Sequence, residues 1–197
     1  MDTLPRIGIV LSTTRPGRFG DTPAAWLLDL ARRRGDAQYE LVDLRDHPLP
    51  FFEEARSPIM GPIEREDVRR WARVVGGLDG FIFVTAEYNH GLPAVLKNAL
   101  DYVYTEFNRK PATFVGYGGV GGARAVEHLR GVLGELQVAT LKHAVHIGLA
   151  EMMGVMKGET RLTDYPHLAD AAHRMLDDLV WWTAALGAAR EGAVTEL

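Results

Sequence analysis

The stretch that decides the fold is residues 80–104, which read GFIFVTAEYNHGLPAVLKNALDYVY. Residues 80–86 form a nearly continuous apolar run of strand length, which is typical of a central parallel strand covered on both faces. Residues 93–104 follow helical spacing, and Pro93 suits the first turn of a helix. The stretch therefore predicts a strand, a short loop and a helix, which together are the repeating unit of a parallel α/β sheet.

The same alternation continues on both sides of this stretch. Further strands are predicted at 6–11, 39–44, 112–117 and 140–147, and further helices at 24–34, 63–75, 123–136 and 166–190. Residues 47–62, which contain four prolines, and residues 151–165 are predicted to be irregular. Because crossover connections are right-handed, we expect a three-layer α/β sandwich with helices on both faces of a five-stranded parallel sheet of order 2-1-3-4-5. One domain over residues 1–197 is expected.

The bulk composition excludes several classes of site. The chain has no cysteine, which removes disulfides, thiolate catalysis and cysteine-held metals and suits a reducing cytoplasm. Its net charge of −4 provides no basic field for nucleic acid or anionic lipid. Residues 1–5 lack the features of a secretory leader, and no apolar run reaches the roughly 18 residues that span a bilayer. We expect a cytoplasmic protein that binds neither nucleic acid nor membrane.

Ligands of open α/β sheets bind beyond the carboxyl ends of the strands, near the point where the strand order reverses. This rule selects the loops 12–21, 86–92 and 118–122. The first loop offers three hydroxyls, two guanidinium groups and two glycines ahead of a helix N-terminus, namely Ser12, Thr13, Thr14, Arg15, Arg18, Gly17 and Gly20. These groups favour a phosphate, although a plain turn with a helix cap fits the composition equally well. This first loop matches neither a Walker loop nor the Gly-x-Gly-x-x-Gly motif of a dinucleotide fold.

The other two loops suit a planar ligand. Tyr88 offers a flat contact surface and Asn89 offers hydrogen bonds, although a solvated surface loop is the alternative. Residues 118–122 contain four glycines, which permit close approach of the backbone to a ligand or form an entry turn to the next helix. Three unusual loops at one sheet edge are stronger evidence for a site than any one of them.

Other kinds of site are poorly supported by the sequence. The seven histidines contain no metal-binding helix motif, and His143 and His146 should point to opposite faces of a strand, so no metal site is predicted. There is no hydrolase nucleophile elbow and no acid–base dyad, which fits chemistry carried by a cofactor. Trp181 and Trp182 are expected to pack the last helix on the sheet or on a partner.

Three motifs resemble the NADPH-dependent FMN reductase family, a flavodoxin-like group that includes azo-, quinone- and chromate-reducing enzymes. They are STTRPGR at 12–18, EYNHGLPAVLKNALD at 87–101 and YGGVGGAR at 117–124, and the resemblance runs from about residue 5 to 150. Two departures are Ser12 in place of a glycine and Ala86 in place of a frequent proline. Neither departure removes a binding group.

The resemblance implies a flavodoxin-like fold, FMN as cofactor and NADPH or NADH as hydride donor. Flavin N5 would carry the chemistry, so no catalytic side chain is predicted, and electrons would pass to a flavin, quinone, azo compound or metal oxyanion. It also implies a homodimer or homotetramer. The implied cofactor-binding residues are Thr13, Thr14, Arg15, Arg18, Gly20, Ala86, Glu87, Tyr88, Asn89, Gly118, Gly119 and Val120. A flavodoxin-type electron carrier and a flavin-binding regulatory module are the alternatives.

Overall fold

The strands and helices are seen in a computed structural model that describes residues 4–192. The predictions about a secretory leader at residues 1–5 and about one domain over residues 1–197 include residues 1–3 and 193–197. Those residues lie outside the described part of the chain. The strands are β1 (Arg6–Leu11), β2 (Gln38–Asp43), β3 (Gly80–Ala86), β4 (Pro111–Tyr117), β5 (Ala139–Thr140) and β6 (Val145–Ile147). The α-helices are α1 (Asp21–Arg32), α2 (Glu66–Gly76), α3 (Ala94–Asp101), α4 (Ala123–Glu135), α5 (Leu149–Met156) and α6 (Pro166–Arg190).

The sheet has the predicted order β2-β1-β3-β4-β5, and every pair of neighbouring strands is parallel. The order reverses between β1 and β3, where Ile7 to Leu11 pair with Gly80 to Val84. The loops after β1 and β3 therefore leave the same sheet edge on either side of the reversal, as the sequence predicts.

Both faces of the sheet are covered, which gives the predicted three layers. All seven residues of β3 and all seven of β4 are buried. Ile82 and Val84 belong to the core formed with α1 and α6. Phe81 and Phe83 belong to the core formed with α2, α3 and α4. Residues 80–86 are continuously apolar because successive side chains of the strand enter the two cores in turn.

The fifth strand is not the single segment predicted at 140–147. β5 pairs with the start of β4, and β6 pairs with its end. Between them, Arg130 donates to the carbonyls of Leu141 and Lys142, and Thr113 Oγ1 donates to the carbonyl of His143 over 2.6 Å. Side chains thus take carbonyls that a continuous strand would use, and the ladder is interrupted at this point.

The prediction that residues 151–165 are irregular is wrong for its first part, because α5 covers residues up to Met156. The segment contains no proline, and its leucine, alanine, glutamate and methionine residues outweigh the low helix propensity of Gly154. Gly158, at φ +73°, follows the end of the helix. The remainder is irregular except for a 3₁₀ turn at Leu162–Asp164.

The proline-rich segment 47–62 is irregular apart from a 3₁₀ turn at Pro58–Met60, as predicted. Side chains of α3 and its C-terminal end hold the segment. Asn98 accepts from the amide of Phe52 over 2.9 Å and donates to the carbonyl of Pro50 over 2.6 Å. The Tyr102 hydroxyl donates to the carbonyl of Phe51 over 3.3 Å. Elsewhere, Trp181 and Trp182 are 63% and 39% exposed, so they do not pack α6 on the sheet. Packing against a partner stays a prediction.

Among residues 4–192, no helix is both long enough and apolar enough to cross a membrane.

Candidate functional site

The three predicted loops meet around one cavity of about 260 Å³ at the carboxyl ends of β1, β3 and β4. Six of the predicted cofactor-binding residues line it, namely Arg15, Ala86, Glu87, Tyr88, Gly118 and Gly119. Six do not line it, namely Thr13, Thr14, Arg18, Gly20, Asn89 and Val120. The sequence therefore predicts the location of the cavity and six of the eleven residues that line it.

Arg18 is buried, and its guanidinium is fully engaged within the protein. It donates to Asp43 and to the carbonyl of Thr13, and its Nε and Nη2 both donate to Asp21, over 2.8 and 2.6 Å. The hydrogen bond with Asp43 is the main cause that raises the pKa of Arg18. Burial alone would raise the pKa of Asp43, but the hydrogen bonds and charges of Arg18 and Arg45 hold it below its usual value. Arg18 thus ties the loop to β2 and α1 and has no donor left for a phosphate.

Arg45, which the sequence does not single out, braces the same loop from outside. Its Nη2 donates to the carbonyl of Arg15 over 2.6 Å, and its Nε donates to the carbonyl of Thr14 over 3.2 Å. The Arg15 side chain is exposed and has no ion-pair partner among residues 4–192. Arg15 is therefore the cation of this loop that is available to an anionic ligand, and the loop leads into the N-terminus of α1.

Tyr117 joins the first loop to β4 and forms part of the cavity wall. Its hydroxyl lies 3.4 Å from Thr13 Oγ1, and its ring centre is 5.3 Å from that of Phe19. A Cβ at Gly20 would come within 2.7 Å of the Tyr117 hydroxyl, so this close packing requires glycine there. Burial raises the pKa of Tyr117 to about 12, which keeps the hydroxyl neutral at physiological pH.

The second loop is a tight turn held by two backbone hydrogen bonds between Tyr88 and Gly91, of 3.0 and 3.1 Å. Its central residues, Asn89 and His90, have φ of 48° and 74°. Two left-handed central residues are typical of the hairpin turns that asparagine accepts most readily, and for histidine the conformation is uncommon. Non-glycine residues held in this conformation are concentrated at ligand sites, because the surroundings must enforce it.

Glu87 and Arg124 hold this turn in its conformation. The Glu87 side chain is only 4% exposed and forms an ion pair with Arg124, whose Nε donates to it over 2.6 Å. The backbone amide of Arg124 also donates to Glu87 over 3.1 Å, and Arg124 Nη1 lies 3.1 Å from His90 Nδ1. Burial alone would raise the pKa of Glu87, but these Arg124 contacts lower it below its usual range. The carboxylate is therefore committed to Arg124, and only the rest of Glu87 faces the cavity.

The glycines of the third loop have two different roles. Gly122 has φ +68°, and a Cβ there would lie 2.6 Å from the amide nitrogen of Tyr117, so the loop folds back on β4 only with glycine. Gly119 lines the cavity, and a Cβ there would meet no other atom within 4 Å. Val120 is 51% exposed at the outside of the loop. Gly119 is thus the position that leaves room for a ligand.

Part of the wall comes from residues that the sequence does not predict. Phe19 and Tyr117 contribute aromatic surface, and Met152 and Met156 contribute thioethers from α5. Because residues 151–165 are predicted to be irregular, the sequence analysis does not place these methionines in the cavity wall. Their spacing, four residues apart, is the signal that could have placed them on one face of a helix.

The two histidines considered as a metal pair contact different groups. His143 Nδ1 lies 2.6 Å from Asp178, and His146 Nδ1 lies 2.9 Å from the carbonyl of Gly121. Among residues 4–192, no group of three or more metal-ligating side chains is brought together.

The cavity has the groups that a flavin mononucleotide needs. The aromatic surface of Phe19 and Tyr117 suits a flat ring, Gly119 leaves space for backbone approach, and Arg15, in the loop that leads to α1, suits a terminal phosphate. The turn at 88–91 leaves the amides of Asn89 and His90 outside its own hydrogen bonds. The residues present therefore fit this cofactor.

Comparisons with known proteins agree with this fit. Residues 5–151 match a family described as NADPH-dependent FMN reductase. An NAD(P)H-dependent FMN reductase of Schizosaccharomyces pombe is 41% identical over 136 residues, which cover 68% of this chain and 68% of that relative. A 2-hydroxy-1,4-benzoquinone reductase of a Burkholderia species is 31% identical over 143 residues, which cover 69% of this chain and 74% of that relative. FerB, a flavoenzyme NAD(P)H:(acceptor) oxidoreductase from Paracoccus denitrificans, shares the fold with a TM-score of 0.70 at 19% identity, over 92% of this chain and 98% of that one.

Proposed function

This chain belongs to the NADPH-dependent FMN reductase family, and on that premise we propose that it uses FMN to take a hydride from NADPH or NADH and pass electrons to a small acceptor. The observation that carries the proposal is the convergence of three loops on one cavity at the point where the strand order reverses. When bound, FMN supplies the hydride-accepting and electron-donating chemistry.

The protein's own residues hold and orient the cofactor in this proposal. Arg15 and the N-terminus of α1 bind the phosphate, while Arg18 and Arg45 position that loop without touching the ligand. Gly118 and Gly119 let the backbone approach the flavin, and Tyr88 borders it. The Tyr117 ring forms part of the wall, and its neutral hydroxyl, next to Thr13 Oγ1, connects β4 to the first loop.

The acceptor is a small molecule, for which flavin, quinone, azo compound and metal oxyanion are the candidates. The relative named as a 2-hydroxy-1,4-benzoquinone reductase supports the quinone. With a quinone, NADPH gives a hydride and solvent gives a proton, so that NADP⁺ and the hydroquinone are the products. We also propose a homodimer or homotetramer, for which the exposed Trp181 and Trp182 offer apolar surface, and a cytoplasmic location, where both nicotinamide donors are available.

Titration of the purified protein with FMN, followed by steady-state oxidation of NADPH with 1,4-benzoquinone, tests the proposed function. We expect one FMN per chain and acceptor-dependent NADPH oxidation. Arg15→Ala should raise the Kd for FMN about tenfold, as expected for loss of one charge-assisted phosphate contact. Arg33→Ala, which removes an exposed arginine just after α1, is the matched control and should leave the Kd unchanged. A protein that binds no FMN would contradict the proposed function, and one that binds FMN without oxidising NADPH would favour the electron carrier or the flavin-binding regulatory module.

A further inference from the structure

One face of α5 is apolar and exposed. Leu149, Met153 and Met156 recur at helical spacing, and their exposed fractions are 52%, 38% and 57%. No residue of this helix is fully buried. Clustered apolar side chains on a protein surface commonly mark a place where another molecule binds.

This apolar face continues into the cavity. Met152 and Met156 both line the cavity, beside Phe19 and Tyr117. Met152 also packs against the core under α1 and α6, which fixes its position. Met156 lines the cavity and yet is more than half exposed, so it lies at the mouth. A molecule that enters the cavity from solvent therefore passes over thioether groups.

Charged groups are few at this wall. Arg15 is the one basic residue that lines the cavity within residues 4–192, and the acidic Glu87 is paired with Arg124. A small anion needs several donors to replace its hydration shell, and a single guanidinium does not supply them. A flat, uncharged aromatic molecule has no such requirement, because its faces exchange water for thioether and ring contacts.

The family match ends at residue 151, just before Met152 and Met156. We propose that Met152 and Met156 are specificity-determining residues, which select flat, uncharged aromatic acceptors over small anionic ones. Methionine suits this role because its unbranched, polarizable side chain adapts to planar molecules of different outline. The inference rests on the proposed function, since it concerns the acceptor of that reaction.

A double variant, Met152→Gln with Met156→Gln, tests the inference, because glutamine keeps the length of the side chain and removes the apolar thioether. Met152→Leu with Met156→Leu is the conservative variant, and Met60→Gln is the matched control at a 70% exposed methionine outside the cavity. Thermal unfolding checks that each variant is folded. The readouts are KM and kcat for 1,4-benzoquinone and for ferricyanide, together with Kd for 2-naphthol, a flat aromatic that is not reduced, from its effect on the oxidised flavin spectrum.

The double glutamine variant should raise both KM for benzoquinone and Kd for 2-naphthol about tenfold, the range expected for loss of apolar contact in a pocket. Its KM for ferricyanide, its Kd for FMN and its rate of flavin reduction by NADPH should stay within about twofold of the parent. The leucine variant should recover most of the affinity for benzoquinone, and Met60→Gln should match the parent. Unchanged affinity for both aromatic molecules would overturn the inference. A Kd for FMN that rises in parallel would also overturn it, because the methionines would then hold the flavin.

Failure of the proposed function itself gives a different result. If the parent protein binds no FMN, or if NADPH does not reduce its flavin, the proposed function fails before any variant is compared. If the parent protein is active and only the aromatic-specific effect is absent, the proposed function stands and the role of Met152 and Met156 is rejected.

Discussion

At the scale of single residues, charge and burial separate two arginines that look equivalent in the sequence. Arg15 and Arg18 lie in the same loop, and the sequence predicts that both contact a phosphate. Arg18 is instead paired with Asp43, which is 25 residues away. No local pattern could reveal this partner, because it is brought near by the pairing of β1 with β2.

Replacing Arg18 with alanine should destabilise the fold. The substitution leaves Asp43, whose side chain is 18% exposed, without its main partner, and we expect the free energy of unfolding to fall by about 3 kcal/mol. Urea denaturation of the FMN-free protein measures this loss. Arg33→Ala breaks an exposed pair with Asp29 and should cost no more than about 0.5 kcal/mol. Equal effects of the two substitutions would refute the positioning role of Arg18.

Lys110 should make stability depend on pH. It is 7% exposed, its Nζ donates to the carbonyls of Val75 and Gly76, and burial lowers its pKa from 10.5 to about 8. Between these two pH values the unfolded chain holds a proton that the folded chain has released. The free energy of unfolding should therefore rise with pH across this window, by at most about 3 kcal/mol.

Lys110→Met is the control for this pH dependence, since it removes the titrating group. The difference in unfolding free energy between the parent and the variant should shift in favour of the parent as the pH rises from about 8 to 10.5. Urea denaturation across the window measures it. A difference in unfolding free energy that does not change with pH would contradict the lowered pKa of Lys110.

At the scale of elements, the sequence predicts correctly where one strand or loop decides its own structure. The fully buried run 80–86 and the glycine-rich loop 118–122 follow from their own composition. The break between β5 and β6 could not be predicted, because it depends on Arg130, which lies in another element and takes the carbonyls of Leu141 and Lys142. The wall from α5 was within reach of prediction, since its good helix formers outweigh Gly154.

Two glycines of the third loop should respond differently to alanine. In Gly122→Ala the new Cβ meets the backbone of Tyr117 at 2.6 Å with φ at +68°, and we expect a loss of about 2 kcal/mol or more in unfolding free energy. Gly119→Ala meets nothing within 4 Å and should stay within about 1 kcal/mol of the parent. It should nevertheless weaken FMN binding, which titration measures. Normal FMN affinity in Gly119→Ala would argue against close approach of the cofactor at this position.

The turn at 88–91 should loosen when Arg124 is removed. In Arg124→Ala, Glu87 loses its ion pair and His90 loses its contact, so the amides of Tyr88 and Gly91 should exchange with solvent deuterium about tenfold faster. Arg124→Lys should restore the charge but not the two-sided contact, and exchange should be intermediate. Hydrogen exchange on the FMN-free protein reports this without any activity measurement. Unchanged exchange would show that the turn holds itself.

At the scale of the whole molecule, the order of the sheet brings distant motifs into one site. The loops after β1, β3 and β4 are separated by tens of residues in the sequence, and the strand order places them at one edge. The sequence could predict this meeting because the rule concerns topology alone. It could not predict which side chains would be free to bind, since Arg18 and Glu87 are engaged by partners from other elements.

The proposed function requires that FMN bound in this cavity be reduced by a nicotinamide donor. The most direct measurement is anaerobic stopped-flow mixing of the FMN-loaded protein with NADPH and, separately, with NADH, while the visible absorbance of the oxidised flavin is recorded. We expect the absorbance to bleach with at least one donor and to return when 1,4-benzoquinone is added. Flavin that stays oxidised with both donors would contradict the proposed function and favour an electron carrier.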